Sequence, residues 1–361
     1  MKILLIGPGK LKYMPYAHFY LDIIDRKKNE VHFAYWNRDT NKEDYSSFSD
    51  IQLHEFSLFM HNDVNLLQKL LYTYRFSIFC KKLIEKHNYD KLIILHTISG
   101  VMLFPILFGE YSNRYVLDYR DSTYETLGFF KKLVGGMVKH SICTFVSSDG
   151  FRKFLPEKYS YKIYSSHNLL TDSLKHRDYE RILCNKIRIA FWGFIRHVEH
   201  NKLLISRIAN DERFELHYYG REQRDALKLK EYINNNDIEN VFFHGEYNPE
   251  DRYEFAQKTD ILHNSYNDSN MMLAMGNKYY DGLIFYLPQI CMKGSYMGNR
   301  CVEKGIGIVL DPRDNDFADT LYNFYKTLDW KQFKKNCDTD LMHILDEYNY
   351  GNTITLELFN R

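Results

Sequence analysis

Three side chains in the second half of the sequence have the types and settings needed to grip a phosphorylated nucleoside. An apolar run at 187–192 leads into Gly193-Phe194-Ile195-Arg196. A glycine followed by a basic residue at the mouth of a helix suits a diphosphate, because peptide N–H groups and a guanidinium can share its charge. Further on, a polar loop at 265–270 precedes Asn277-Lys278-Tyr279-Tyr280-Asp281, which opens a helix. An acid in the first turn of that helix can accept both hydroxyls of a ribose, while Lys278 can reach a phosphate. Gly245, at the end of the apolar run 241–244, and Asn277 are counted with the same nucleotide-binding set. The competing reading is local: Arg196 as a solvated helix-start residue, and Asp281 as a carboxylate complementing the helix dipole, worth about 0.3–1 kcal/mol.

The first half offers a different set. Gly7-Pro8-Gly9 follows the apolar run 2–6 and can let backbone approach a ligand, or simply make a tight turn. It is not a dinucleotide fingerprint, since G-x-G-x-x-G requires glycine at position 12, where Lys12 stands. His96 ends the run 91–95, and Arg120-Asp121-Ser122-Thr123 ends the run 115–119. Local roles are open to these as well, a satisfied buried imidazole for His96 and a helix N-cap for Asp121. Two D-x-D patterns, Asp314-Asn315-Asp316 and Asp338-Thr339-Asp340, could hold a cation against a diphosphate. Both fall in late surface helices where acidic residues are routine, so no metal site is expected.

Positioning these groups requires the ends of buried strands. Short apolar runs at 2–6, 31–36, 51–56, 91–95, 115–119, 143–146 and 161–164 alternate with helical patterns such as 64–86 and 125–138. That alternation means βαβ units and a parallel sheet. After a polar stretch at 171–185 the rhythm restarts, with strands at 187–192, 214–219, 241–244, 261–263, 289–291 and 306–310 and a helix at 249–258. The expected fold is α/β, with two Rossmann-like doubly wound parallel-sheet domains facing across a cleft. One domain covers 1–175 and the other 186–340, with a hinge near 171–186 and a helix over about 345–361 packing back on the first.

Composition agrees with a fully folded chain. Its 361 residues exceed what one core usually fills, and 45% hydrophobic with 26% charged residues is ordinary for a globular protein. The apolar start breaks at Gly7 after a few residues, too short for a secretory signal, and no run is long enough to span a bilayer, so a cytoplasmic location is expected. Six scattered cysteines, with no C-x-x-C and no histidine at finger spacing, argue against a zinc site or a disulfide framework. Net charge is +1, with 25 basic against 20 acidic residues in 1–180 and 23 against 27 in 181–361. That balance excludes a duplex-binding protein, and no nucleic-acid partner is expected. The basic bias of the first half, together with the basic-apolar stretch 129–139, fits peripheral contact with the cytoplasmic face of an anionic membrane.

Residues 241–312 resemble the donor-binding half of GT-B glycosyltransferases, in particular the retaining family 4 enzymes of bacterial surface-polysaccharide pathways. The likeness rests on Asn270, Asn277-Lys278-Tyr279-Tyr280-Asp281, Pro288 and the stretch Gly305-Ile306-Gly307-Ile308-Val309-Leu310-Asp311-Pro312, and extends more weakly to Gly193, Arg196 and Gly7-Pro8-Gly9. The resemblance implies a metal-independent transferase without cofactor, using a UDP- or GDP-sugar as donor and a saccharide or undecaprenyl-type lipid-linked saccharide as acceptor. It implies that Asp281 holds the ribose and that Arg196 and Lys278 hold the diphosphate. Asp121, Arg120 and His96 would then act near the sugar and the acceptor. One departure stands out: many such enzymes carry a second acid eight positions before the ribose-binding one, and here that position is Leu273. A catalytically silent transferase-like subunit, or an epimerase or hydrolase of the same two-domain shape, are the rival readings.

Overall fold

A computed structural model describes the whole chain except residues 43, 44, 46, 47, 62, 63, 178, 249, 250 and 361. The chain divides into two units, Met1–His167 with Asp346–Arg361, and Asn168–Leu345. The polar stretch read as a hinge therefore begins inside the second unit.

In the first unit seven strands form one parallel sheet: β1 (Lys2–Gly7), β2 (Glu30–Asn37), β3 (Gln52–Ser57), β4 (Lys91–Leu95), β5 (Tyr115–Tyr119), β6 (Cys143–Val146) and β7 (Ile163–Ser165). Their order is β3-β2-β1-β4-β5-β6-β7. The helices are α1 (His18–Leu21), α2 (Leu66–His87), α3 (Thr97–Val101), α4 (Phe104–Phe108) and α5 (Gly128–His140). Most central strand residues are buried, as in Leu92–Leu95 and Tyr115–Tyr119, which is why these strands read as mostly apolar runs rather than alternating ones. Asn65 caps α2 in a capping box with Gln68, and Asn88 ends it in the left-handed conformation.

The second unit repeats the plan. Strands β8 (Ile187–Trp192), β9 (Phe214–Tyr219), β10 (Val241–Phe243), β11 (Ile261–Asn264), β12 (Gln289–Met292) and β13 (Gly307–Leu310) lie in the order β10-β9-β8-β11-β12-β13, again all parallel. Its helices are α6 (Val198–Ile208), α7 (Arg224–Asn235), α8 (Arg252–Ala256), α9 (Asn277–Ile284), α10 (Tyr296–Lys304) and α11 (Phe317–Lys326). The helix expected over 249–258 is shorter at both ends, and Pro249 lies outside the described residues. The last helix, α12 (Trp330–Phe359), starts in the second unit and finishes in the first, where Phe359 is buried among Ile3, Leu5 and Val31. Arg361, the last position of the expected packing-back helix, is outside the described residues.

In both sheets strand order reverses at one place, between β1 and β4 and between β8 and β11. Loops leaving the carboxyl ends of those strands diverge and leave a crevice, the usual binding place in such sheets.

Candidate functional site

At the switch point of the second sheet, the loop after β8 begins with Gly193, whose φ of +130° few other residues adopt. Its carbonyl lies against Gly220, the residue after β9: a Cβ on Gly220 would stand 1.7 Å from Gly193 O. Gly220 N in turn donates to Gly245 O at 2.7 Å. Three glycines following three neighbouring strands thus bring the loops against one another. Gly220 was not singled out from sequence, although it directly follows its strand as Gly193 does.

Lys278, in the first turn of α9, points into this loop. Its Nζ lies 3.9 Å from where a Cβ on Gly193 would be, sits 4.1 Å above the Phe191 ring centre and donates to the Tyr266 hydroxyl. The residue is buried, and among the described residues no carboxylate lies within ion-pair distance of it. Burial pushes its pKa down to about 7; Asp281 opposes the shift, while the charges of Arg196 and Arg252 add to it. Arg196 is exposed on the same loop, 5.4 Å from the Phe194 ring centre; burial lowers the pKa of His197, with the Arg196 charge adding to it, and burial raises that of Tyr266 against the opposing Arg196 charge. Sequence reading passed over His197, which holds φ +63° at the mouth of α6. Asn277 is the first residue of α9 and half-buried.

Asp281 is placed differently from expectation. It is the fifth residue of α9, in the second turn, and the first turn carries no acid. Its carboxylate is buried and engaged: Trp192 Nε1 donates to Oδ2 at 2.8 Å, and Arg252 Nη1 lies 3.1 Å from both oxygens. Burial alone would lower the pKa of Arg252, but Asp281 and Tyr247 outweigh it and hold the group above its usual value. Asp281 therefore fastens α9 to α8 and to the end of β8. Leu273 lies half-buried in the loop between β11 and α9.

The switch point of the first sheet carries the second group. His96, directly after β4, has φ +70°, a costly conformation for a residue with a side chain. Its N–H donates to Asp118 O at 2.9 Å and its Nδ1 accepts from Ile98 N at 3.2 Å, which leaves the ring proton on Nε2. That Nε2 stands 3.6 Å from Asp121 Oδ2. The structure thus brings His96 and Asp121 together. Arg120, the third residue of this group, has protein partners of its own. It is buried, with its guanidinium on Asp118, on Ser166 O at 3.1 Å and on Ser166 Oγ at 2.9 Å, and stacked 4.6 Å from the Tyr16 ring centre. It ties the loop after β5 to the loop after β7, and is a positioning group there.

Gly7 closes β1, and the room a side chain would need is filled by Met14, whose Cε lies 2.5 Å from the would-be Cβ. Gly9 has open space around it. Lys10 next to it is buried and bonded to Asp39 and Asn41 O. Of the two D-x-D patterns, Asp338 pairs with Arg177 and Asp340 with Arg300 and Tyr279, so these carboxylates serve local packing.

No family model matches this sequence, and no curated protein matches it. Solved structures do. Sucrose-phosphate synthase from Thermosynechococcus elongatus superimposes with a TM-score of 0.74 at 11% identity, covering 100% of this chain and 99% of that one. HepE from Anabaena, solved with UDP and glucose, gives 0.71 at 12% identity over 100% and 99%. A protein described as a UDP-N-acetylglucosamine 2-epimerase from Listeria monocytogenes gives 0.60 at 11% over 93% and 90%. At such identities the likeness establishes the fold, which is GT-B: two parallel-sheet α/β domains.

Proposed function

We propose that the chain is a glycosyltransferase drawing its sugar from a nucleoside-diphosphate donor, UDP- or GDP-linked. The carrying observation is Lys278, a buried amine with no carboxylate in ion-pair reach among the described residues, set beside Gly193 and Arg196 at the switch point of the second sheet. A buried cation lacking a counter-anion is unstable alone and becomes stable when a diphosphate supplies the charge. The HepE structure with UDP and glucose on the same fold supports this reading.

In this reading Lys278 and Arg196 neutralise the diphosphate as the bond from the sugar's anomeric carbon to the phosphate oxygen breaks, the main electrostatic contribution to the rate. Asn277 and the backbone at Gly193 and Gly245 complete the pocket. Asp281 acts through Arg252, holding it in place. Asp121 orients the acceptor hydroxyl and takes its proton, steadied by His96 Nε2–H. Retention of configuration, a surface-polysaccharide product and a lipid-linked acceptor are further parts of the proposal. Among the described residues no helix is long and apolar enough to cross a membrane. Contact with lipid is assigned to exposed apolar residues of the first unit, Leu67 and Leu71 on α2 and Phe129 on α5. No cofactor, metal ion or nucleic acid takes part.

The test is release of free nucleoside diphosphate across a panel of UDP- and GDP-sugars with saccharide acceptors. Wild type should turn over at least one donor, and Lys278→Met should lower kcat/KM by roughly 100-fold or more, the scale of losing a charge stabiliser. Turnover unaffected by Lys278→Met, or no binding of any nucleotide sugar by calorimetry, would end the proposal. The similar epimerase structure favours one second reading, in which the nucleotide sugar is isomerised or hydrolysed; a changed or free sugar without transfer to any acceptor would select it.

A further inference from the structure

At the edge of the first sheet, away from the residues considered above, three histidines from three elements converge. His32 is on β2, His54 on the edge strand β3, and His87 is the last residue of α2. Because β2 and β3 pair with Ala34 opposite His54, residues 32 and 54 point to one face of the sheet, and α2 covers that face through Phe76 and Phe79 against Trp36 and Phe56. One ligand nitrogen from each imidazole lies within 4.8 Å of the others. His32 is fully buried, while His54 and His87 are half-buried, leaving a route from solvent.

The arrangement is also oriented. His32 Nε2 lies 2.8 Å from Glu30 Oε1, so the ring proton sits there as a donor to the carboxylate. The lone pair is then on Nδ1, which faces His54 Nε2 at 2.9 Å and the Tyr89 hydroxyl at 2.7 Å. A carboxylate that fixes the tautomer of an imidazole and turns its lone pair inward is the usual outer shell of a histidine metal ligand. We infer that His32, His54 and His87 form a binding site for a first-row divalent cation of the zinc type, with Glu30 as the outer-shell carboxylate.

The chemistry selects the class. Three neutral nitrogens suit zinc, cobalt, nickel or copper, whereas calcium and magnesium call for oxygen ligands. A tetrahedral ion with nitrogen at about 2.0–2.1 Å sets its ligand atoms about 3.3 Å apart, so the rings need only small rotations to close on it. Lys2 and Lys86 are the nearby cations opposing the ion, and Glu30 is the nearby anion favouring it. A bound ion would fasten the end of α2 to the edge of the sheet. Sequence spacing concealed this, since positions 32, 54 and 87 match no short metal-binding pattern.

The test uses the full chain without a polyhistidine tag, stripped with chelator and titrated with cobalt(II) and zinc(II) by absorption and calorimetry. One equivalent should bind per chain, with the visible spectrum of four-coordinate cobalt, and zinc should displace it. His87→Gln should weaken binding by more than tenfold while leaving the melting temperature of the metal-free protein nearly unchanged. Glu30→Gln, at an exposed position that keeps the test available if a histidine variant misfolds, should weaken it about 10–100-fold. His244→Gln, which breaks the separate His217–His244 contact of 3.0 Å, should change nothing. No binding by the wild type, equal binding by His87→Gln, or loss of binding through His244→Gln instead would each overturn the inference.

Discussion

A lysine with a pKa near 7 is a proton reservoir as much as a charge. Lys278 reaches that value mainly through burial, with Arg196 and Arg252 contributing and Asp281 resisting. If a diphosphate binds beside it, the pKa rises, so binding takes up a proton and is strongest where the free lysine is already charged. Affinity for a nucleotide sugar, whose diphosphate is esterified at both ends and does not titrate near neutrality, should therefore fall about tenfold between pH 6.5 and pH 8. Calorimetry at several pH values checks this, and Lys278→Met should flatten the profile. A pH-independent affinity in the wild type would mean that the ammonium does not meet the ligand. The placement of Lys278 at the start of a helix, and of Gly193 and Arg196 in the loop after a strand, could be read in advance because each depends on near neighbours in sequence. The fate of Asp281 could not, since Trp192 and Arg252 are 89 and 29 positions away.

Elements were the most legible level. Strands such as β5 and β8 read correctly to the residue because a strand covered on both faces is mostly apolar, the buried Asp118 and Arg188 each being held by a charged partner, and the restart of the pattern at 187 announced a second sheet. Helix ends were less legible. The pattern at 125–138 starts at Gly128 in the structure, because Glu125 is buried and accepts from Thr123 N rather than extending the helix. What joins elements was hidden altogether, and the Asp281–Arg252–Trp192 group is the clearest case, tying α8, α9 and β8 together. Arg252→Met would leave Asp281 buried without its ion-pair partner, so it should cost about 3–5 kcal/mol of stability. Chemical denaturation should show this in the second unit. Restoring most of the loss by adding Asp281→Leu would establish that the unpaired charge, not lost packing, is responsible.

At the level of the whole molecule, α12 decides how the chain is divided. Its end supplies Phe359, Tyr348 and Leu358 to the first core; Lys91 Nζ donates to Leu358 O, Asn360 accepts from Asp25 N at 2.9 Å, and His167 Nε2 meets Glu347 at 2.7 Å. Removing residues 346–361 should therefore unfold or loosen the first unit, at a cost well above the about 3–5 kcal/mol of one buried phenylalanine. Limited proteolysis would show rapid cutting within residues 1–167 while residues 168–345 resist. Equal resistance of both units after truncation would show that the helix end is dispensable.

That division also fixes an order of events during synthesis. The second unit is one uninterrupted stretch and can close its core once its own residues have left the ribosome. The first unit is translated earlier, yet it lacks a piece of its interior until residues near 359 emerge. The half of the chain that is made first is the half completed last, so its apolar sheet waits, partly uncovered, while the other half folds.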